Sequence, residues 1–130
     1  MKKFILFLFG LLPLMSFSQK AAIWKGNSPG HALDWHWPAN WSSNSMPDEF
    51  TDVIIPLDNS TSFNYPQIQK GDVEINSLYI SPGAMLLLNQ FEIVILDVRK
   101  SYFKSSQIIR KIKSNDVKEF ISLQPLNASN

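Results

Sequence analysis

The sequence contains no cysteine, and only two of its 130 residues are histidine. The absence of cysteine excludes disulfide scaffolds, thiolate zinc sites and cysteine nucleophiles. The 12 Lys and Arg residues nearly balance the 11 Asp and Glu residues, so the formal net charge is +1 and gives no reason to expect a nucleic-acid partner. Glycine is scarce, with five residues, whereas hydrophobic residues make up 45% of the chain, an ordinary fraction for one small folded domain.

No arrangement of residues that is typical of catalysis is recognisable in the sequence. It shows no glycine-rich phosphate loop, no nucleophile placed beside a base, and no carboxylate pair set by a glycosidase motif. The sequence therefore predicts a protein that is not an enzyme and that carries no cofactor and no resident metal.

Residues 1–18 have the pattern of a secretory signal peptide. Two lysines form the basic start, and twelve mostly apolar residues follow at positions 4–15. Ser16 and Ser18 then place small side chains before a cleavage site at Gln19. The apolar run is shorter than the roughly 20 residues that a membrane-spanning helix needs. We therefore expect export to the medium or the cell surface, with membrane contact only before cleavage.

Short apolar runs between turn residues dominate the middle of the chain. The runs at 51–55, 73–80, 84–88 and 91–98 have the length and the aliphatic content of buried strands. Pro82 and Gly83 mark a turn between two of these runs. Because no helical pattern lies between the runs, the sequence predicts an all-β fold.

The charge of the chain changes at residue 98. Residues 19–97 hold three basic and nine acidic groups, whereas residues 98–130 hold seven basic and two acidic groups. We therefore expect a signal peptide at 1–18, a β-rich module at 19–98, and a poorly ordered basic tail at 99–130. A short helix is predicted at 116–123 within that tail, because Asp116 can cap its start and Pro125 would end it.

An ordered set of motifs between residues 24 and 88 is similar to a known module. It consists of Trp24-Lys25-Gly26, a middle Trp35 or Trp37, Asn40-Trp41, Pro47, Asp52-Val53-Ile54-Ile55-Pro56, Tyr65-Pro66, and the run 77–88 with its Gly83-Ala84 turn. The set resembles the N-terminal module of large secreted and surface adhesin-like proteins of gliding Gram-negative bacteria. The resemblance implies the cap and first coils of a right-handed parallel β-helix, without catalytic residues.

The same resemblance implies a function. We expect a secreted, non-catalytic structural or adhesive module that is a fragment or small relative of a surface β-helix protein. The expected partners are cell-surface or extracellular matrix components, with glycans as one candidate class. A terminal coil needs a cover for its apolar end, and a tryptophan-rich segment suits that task because each indole buries a large area.

The tryptophan cluster also supports an alternative function, that of a carbohydrate-binding module. All four tryptophans lie within eighteen residues, at Trp24, Trp35, Trp37 and Trp41. A flat indole ring can stack on a sugar when it is exposed, or fill the core when it is buried. The motif positions favour burial, which we expect for Trp24 and Trp41, and the ligand-binding alternative uses the same four residues.

Two polar clusters contain possible metal ligands. His31, Asp34 and His36 offer ligand types that zinc or copper accepts, but their spacing matches no regular motif, so a loop with two solvated imidazoles is expected instead. The second cluster consists of three acidic residues, Asp48, Glu49 and Asp52. It lacks the dense ligand series and the turn glycine of a calcium-binding loop, which favours a solvated acidic loop.

Overall fold

The computed structural model describes residues 19–60 and 64–110, and these residues form seven short β-strands. In chain order they are β1 (Lys20–Ile23), β2 (Thr51–Ile55), β3 (Val73–Ile75), β4 (Ser77–Ile80), β5 (Leu86–Leu87), β6 (Ile93–Ile95) and β7 (Ile108–Ile109). The helices of this described part are single 3-10 turns at Pro38–Asn40, Val98–Lys100 and Ser105–Gln107, and none is long and apolar enough to cross a membrane. The all-β class expected from the sequence therefore holds for the described residues. The signal peptide expected at 1–18 and the helix expected at 116–123 lie outside them.

All strand pairs in the described residues are parallel, and they form three stacks. β2 lies between β1 and β4 in the first stack, β5 pairs with β7 in the second, and β3 pairs with β6 in the third. Single parallel bridges extend the first stack from Tyr79 to Tyr102, and the second from Leu87 through Gln67 to Asp34. One antiparallel bridge, between Trp24 and Trp41, lies beside the first stack.

The chain crosses these stacks four times in succession, and each such stretch of chain is called a pass. The first pass carries β1 and Asp34, the second carries β2, Gln67 and β3, the third carries β4, β5 and β6, and the fourth carries Tyr102 and β7. Register partners in the second and third passes are 25 residues apart at Asp52 and Ser77 (77 − 52). In every stack, neighbouring strands or bridges therefore come from successive passes.

The inward side chains of the three stacks form one hydrophobic core. Ala22, Val53 and Leu78 hold the same register in the first stack and are 0%, 1% and 0% exposed. Alternate residues of β2 are buried, as expected for a strand with one face inside. The second and third stacks add buried aliphatic residues, among them Ile68, Ile75, Leu86, Leu88 and Ile93.

Residues 101–109 belong to this β structure, contrary to the domain boundary expected at residue 98. β7 pairs with β5, and Phe103 is 6% exposed. The hydroxyl of Ser101 accepts a hydrogen bond from the Leu78 amide at 3.0 Å, and the Gln107 side chain donates to two carbonyl oxygens of the preceding pass. The basic residues of the described part, Arg99, Lys100, Lys104 and Arg110, are exposed although Ser101, Phe103 and Gln107 between them are buried, so net charge was a poor guide to burial here.

Asp52 connects three of the four passes. Its carboxylate accepts hydrogen bonds from Asn76 Nδ2 at 2.8 Å, Ser77 Oγ at 2.6 Å and Lys100 Nζ at 2.5 Å. Burial alone would raise the pKa of Asp52, but these hydrogen bonds and the nearby ammonium hold it below its usual value. Asp52 therefore acts as an ionised tie between adjacent passes.

Candidate functional site

The loop between β1 and β2 carries the tryptophans and histidines, and a buried asparagine organises it. Asn40 is 0% exposed, and its side-chain nitrogen donates to the carbonyl oxygens of His31 at 2.6 Å and Asp34 at 3.0 Å. Its side-chain oxygen accepts from the Ser28 amide at 3.1 Å. Buried backbone groups need such partners, because an unsatisfied polar group in the interior is costly. Asn40 thus holds an irregular backbone in one conformation.

Three of the four tryptophans are buried. Trp24, Trp35 and Trp41 are 4%, 0% and 0% exposed, so the burial expected for Trp24 and Trp41 is confirmed. The Trp41 ring lies 5.0 Å from Trp24 and 4.8 Å from Trp35 between centroids, at 73° and 75°. This edge-to-face arrangement places the positive edge of one ring against the negative face of another. None of these three rings offers a face to a ligand.

The glycine of the Trp24-Lys25-Gly26 motif has a steric role beside this cluster. Gly26 adopts a positive φ of +61°, and a Cβ atom there would lie 3.1 Å from Trp24 Nε1 and 3.1 Å from the Ala32 carbonyl oxygen. The Trp24 indole nitrogen also donates to the Asn64 carbonyl oxygen at 2.6 Å. Glycine therefore allows the loop backbone to pass close to a buried indole.

Trp37 differs from the other tryptophans because it is 36% exposed. Its ring lies parallel to the imidazole of His31, with centroids 3.6 Å apart and 8° between the planes. The stacking fixes the orientation of the indole and leaves part of it open to solvent. The ligand-binding alternative based on four tryptophans is thus reduced to one of them.

A buried carboxylate, Asp34, lies next to this stacked pair. Asp34 is 6% exposed, its Oδ2 is 2.8 Å from Lys70 Nζ, and its Oδ1 accepts from the His36 amide at 2.8 Å. The Nδ1 atoms of His31 and His36 lie 3.8 Å and 3.7 Å from the carboxylate. Burial alone would raise the pKa of Asp34, but the hydrogen bonds from Lys70 and the His36 amide hold it below its usual value. Asp34 is therefore ionised at neutral pH.

The structure brings His31, Asp34 and His36 together, and the expectation of two solvated imidazoles is wrong for His36, whereas the His31 side chain is 37% exposed. Asp34 is buried, and the His36 side chain is 15% exposed with an Nδ1 atom that has no hydrogen-bond partner among the described residues. Within residues 19–60 and 64–110, no three His, Asp or Glu side chains are grouped so that they could hold a metal ion. The ammonium of Lys70 instead balances the charge of the carboxylate.

The acidic residues at 48–52 do not converge on one point. Asp48 accepts from the Thr51 hydroxyl at 2.8 Å and the Phe50 amide at 3.0 Å, and it pairs with Lys20 at 3.4 Å. Asp52 bonds to the following passes, as described above. Both carboxylates thus serve to fix neighbouring strands and loops.

Sequence reasoning missed two residues of this region, Lys70 and Asn40. Lys70 is 36 positions from Asp34, so no local pattern signals their pairing. The two come together because Gln67 bridges Asp34 in the second stack. Asn40 stands in the Asn40-Trp41 motif, which is a signal, but its hydrogen bonds depend on a loop path that the sequence does not reveal.

We expect mild acid to weaken the fold through His36. Desolvation by burial lowers the pKa of His36 below its ordinary value of 6.5, outweighing the attraction of Asp34, and Lys70 lowers it further. As the pH falls, His36 of the unfolded chain therefore takes up a proton before His36 of the folded protein. The contribution of neutral His36 to the free energy of unfolding is complete above pH 6.5 and is lost as the pH decreases toward the folded-state pKa. The lowered pKa of Asp34 contributes a loss only below 3.8, at more acidic pH.

The measurement is the melting temperature between about pH 7.5 and about pH 5. His36→Gln, which cannot be protonated, should flatten the decrease seen in the unchanged protein. His31→Gln is the matched control and should keep the decrease. A decrease that persists in His36→Gln would show that another group is responsible.

The loop thus combines an exposed indole, held against an imidazole, with a buried carboxylate paired to a lysine. Comparisons with protein-family models, with curated proteins and with solved structures return no match for this chain. The stacked fold and the contacts of this loop are therefore the features that bear on function.

Proposed function

We propose that this protein is a secreted, non-catalytic structural or adhesive module that opens a right-handed parallel β-helix. The main supporting observation is the stacking of successive passes in chain order, with parallel pairing in all three stacks. Parallel strands joined by long connections cannot arise from hairpins. The right-handed sense is the one that parallel crossovers take in nearly all proteins.

The loop between β1 and β2 supports the role of an opening cap. β1 is the edge strand of the first stack, and Ser42 of the loop is hydrogen-bonded to its last residue. The Ile23 amide donates to Ser42 Oγ at 2.9 Å, and the Ser42 amide donates to the Ile23 carbonyl oxygen at 2.9 Å. An edge strand exposes backbone groups that invite further pairing, and proteins commonly cover it. Ser42 and the bridge between Trp24 and Trp41 provide that cover where β1 ends.

The fourth pass differs from the first in this respect. Among the described residues, β7 pairs with β5 on one side and with no strand on the other. Within the described residues, the outer edge of β7 can therefore accept a further parallel strand. This asymmetry suits a module from which a longer β-helix continues.

Export is part of the proposal and rests on the pattern of residues 1–18. When the full chain is expressed in a Gram-negative host, mass spectrometry of the exported protein should find Gln19, or its cyclised form, at the N-terminus. Ser18→Arg is the control, because a large charged residue there should block cleavage at this position. A cytoplasmic product that keeps Met1 would contradict export.

Engineered cysteines test the stacked passes, and the cysteine-free chain gives a clean background. Ile54 and Tyr79 are register partners in the first stack, and Glu74 and Val94 are partners in the third. Neighbouring strands lie about 4.8 Å apart, within the Cα separation that a disulfide accepts. We expect Ile54→Cys with Tyr79→Cys, and Glu74→Cys with Val94→Cys, each to oxidise and to raise the melting temperature.

The matched control combines Ile54→Cys with Tyr102→Cys. Tyr102 lies beyond Tyr79 in the same stack, two passes from Ile54 and therefore about 9.6 Å away, which is too far for a disulfide. Ready oxidation of this control, or failure of both register pairs, would contradict the β-helical stacking.

A further inference from the structure

Trp37 is the tryptophan that the hydrophobic core does not use. The other three are at most 4% exposed, whereas Trp37 is 36% exposed on the same loop. Tryptophan is concentrated at contact surfaces because one large rigid ring offers much area and few rotatable bonds. Part of the Trp37 ring is therefore available for contact with a ligand.

The position of this indole is fixed before any ligand arrives. One face is held against the His31 imidazole at 3.6 Å, and the Trp37 amide donates to the Asp34 carbonyl oxygen at 3.1 Å. The Trp37 carbonyl oxygen accepts from the amide of the buried Asn40 at 3.0 Å. A preorganised contact group loses little conformational entropy on binding.

Polar groups converge beside the stacked pair. His31 Nδ1 and Lys70 Nζ lie 3.8 Å and 2.8 Å from the same oxygen of Asp34. Their side chains are 37% and 57% exposed, so both can reach a ligand. An ammonium has three donors, and Asp34 uses one of those of Lys70. The site thus offers hydrogen-bond donors next to an aromatic surface.

The charges of these groups cancel. Asp34 carries one negative charge and Lys70 one positive charge. A site of this kind gives no net attraction to an anion or a cation. An uncharged ligand with one apolar face and several hydroxyl groups matches it best, because the face contacts the indole and the hydroxyls reach Lys70 and His31.

We propose that Trp37, His31 and Lys70 bind a neutral hexopyranose with equatorial hydroxyls, as in a β-linked glucan. The C–H face of such a sugar stacks on the indole, and its hydroxyl groups accept from Lys70 and exchange hydrogen bonds with His31. Asp34 is the positioning residue that holds the ammonium in place. The inference rests on the proposed adhesive function, which it deepens by naming the chemical class of the target.

The test uses cellohexaose, a neutral β-linked glucose oligomer, titrated into the purified protein. Tryptophan emission and calorimetry both report on binding. We expect saturable binding that weakens at least about tenfold in Trp37→Ala, because the stacking platform is lost. Trp37→Tyr should restore part of the affinity, and Lys70→Ala should weaken binding while the indole remains. Phe50→Ala is the matched control, since Phe50 is an exposed aromatic outside the cluster, at 53%.

Circular dichroism and melting temperatures of each variant separate loss of the site from loss of the fold. Failure of the unchanged protein to bind cellohexaose overturns the glucan site, and so does affinity that survives Trp37→Ala. Either result leaves the β-helical module untouched, because the disulfide pairs between passes test it independently. Conversely, Trp37-dependent binding together with failed register pairs would support the sugar site and overturn the β-helix.

Discussion

Replacing Trp41 with alanine is expected to lower the free energy of unfolding by about 3–5 kcal/mol, the usual loss for a buried aromatic ring. The Trp41 side chain is 0% exposed and packs edge-on against Trp24 and Trp35. Its indole nitrogen donates to the Trp35 carbonyl oxygen at 2.8 Å, so the substitution also leaves that oxygen without this partner. Small domains have only about 5–15 kcal/mol of net stability, and the variant should therefore be close to unfolding.

Thermal and urea unfolding followed by circular dichroism measure this loss. Trp37→Ala makes the same chemical change at a ring that is 36% exposed, and it should lower stability far less. Trp41→Phe keeps a buried ring and should fall between the two. Equal losses for Trp41→Ala and Trp37→Ala would contradict the division of the loop into a buried cluster and an exposed indole.

The strands of the middle segment were predictable because their pattern is local. The apolar run 51–55 coincides with β2, in which alternate residues are buried. The run 73–80 was expected as one strand, yet it is divided at Asn76 into β3 and β4, which belong to different stacks. The Asn76 amide donates to the Thr51 carbonyl oxygen at 3.0 Å, across the corner between the two stacks. A corner of one residue does not disturb the apolar pattern, so the sequence could not reveal it.

β1 illustrates the opposite case, a strand that local pattern could not indicate. Of its four residues only Ala22 is buried, and the segment lies next to turn-rich sequence. Its pairing begins with Lys20 opposite Thr51, far along the chain. Parallel partners are set by the packing of whole passes, and pairings of this range leave no signal in a local window.

The same limit applies to the candidate site. Trp35 and Trp37 are two positions apart, and one is 0% exposed while the other is 36% exposed. The loop has no strand or helix period that could assign them to opposite faces, so the sequence left both interpretations open. The pairing of Lys70 with Asp34 also required the second stack to be known.

Replacing Phe103 with alanine should cost about 3–5 kcal/mol as well, because residues 101–109 form part of the core. Phe103 is 6% exposed and belongs to the same buried cluster as Val53 and Leu78. The adjacent backbone is held by the third pass, since the Tyr102 amide donates to the Leu78 carbonyl oxygen at 2.9 Å. A residue in a detached tail would contribute nothing measurable to unfolding.

Tyr102→Ala is the matched control, because Tyr102 is the next aromatic ring along the chain and is 47% exposed. Unfolding curves should show a large loss for Phe103→Ala and a minor one for Tyr102→Ala. Trypsin provides a second measurement, since Lys100 and Lys104 flank the buried ring: cleavage at both should be slow in the unchanged protein and faster in Phe103→Ala. If Phe103→Ala leaves the melting temperature unchanged and trypsin removes this segment first, the boundary at residue 98 that the charge pattern suggested would be correct. A large loss of stability in Phe103→Ala would show that the fourth pass unfolds together with the first three as one cooperative unit. The reason is that a side chain affects global unfolding only when its burial is lost in that transition.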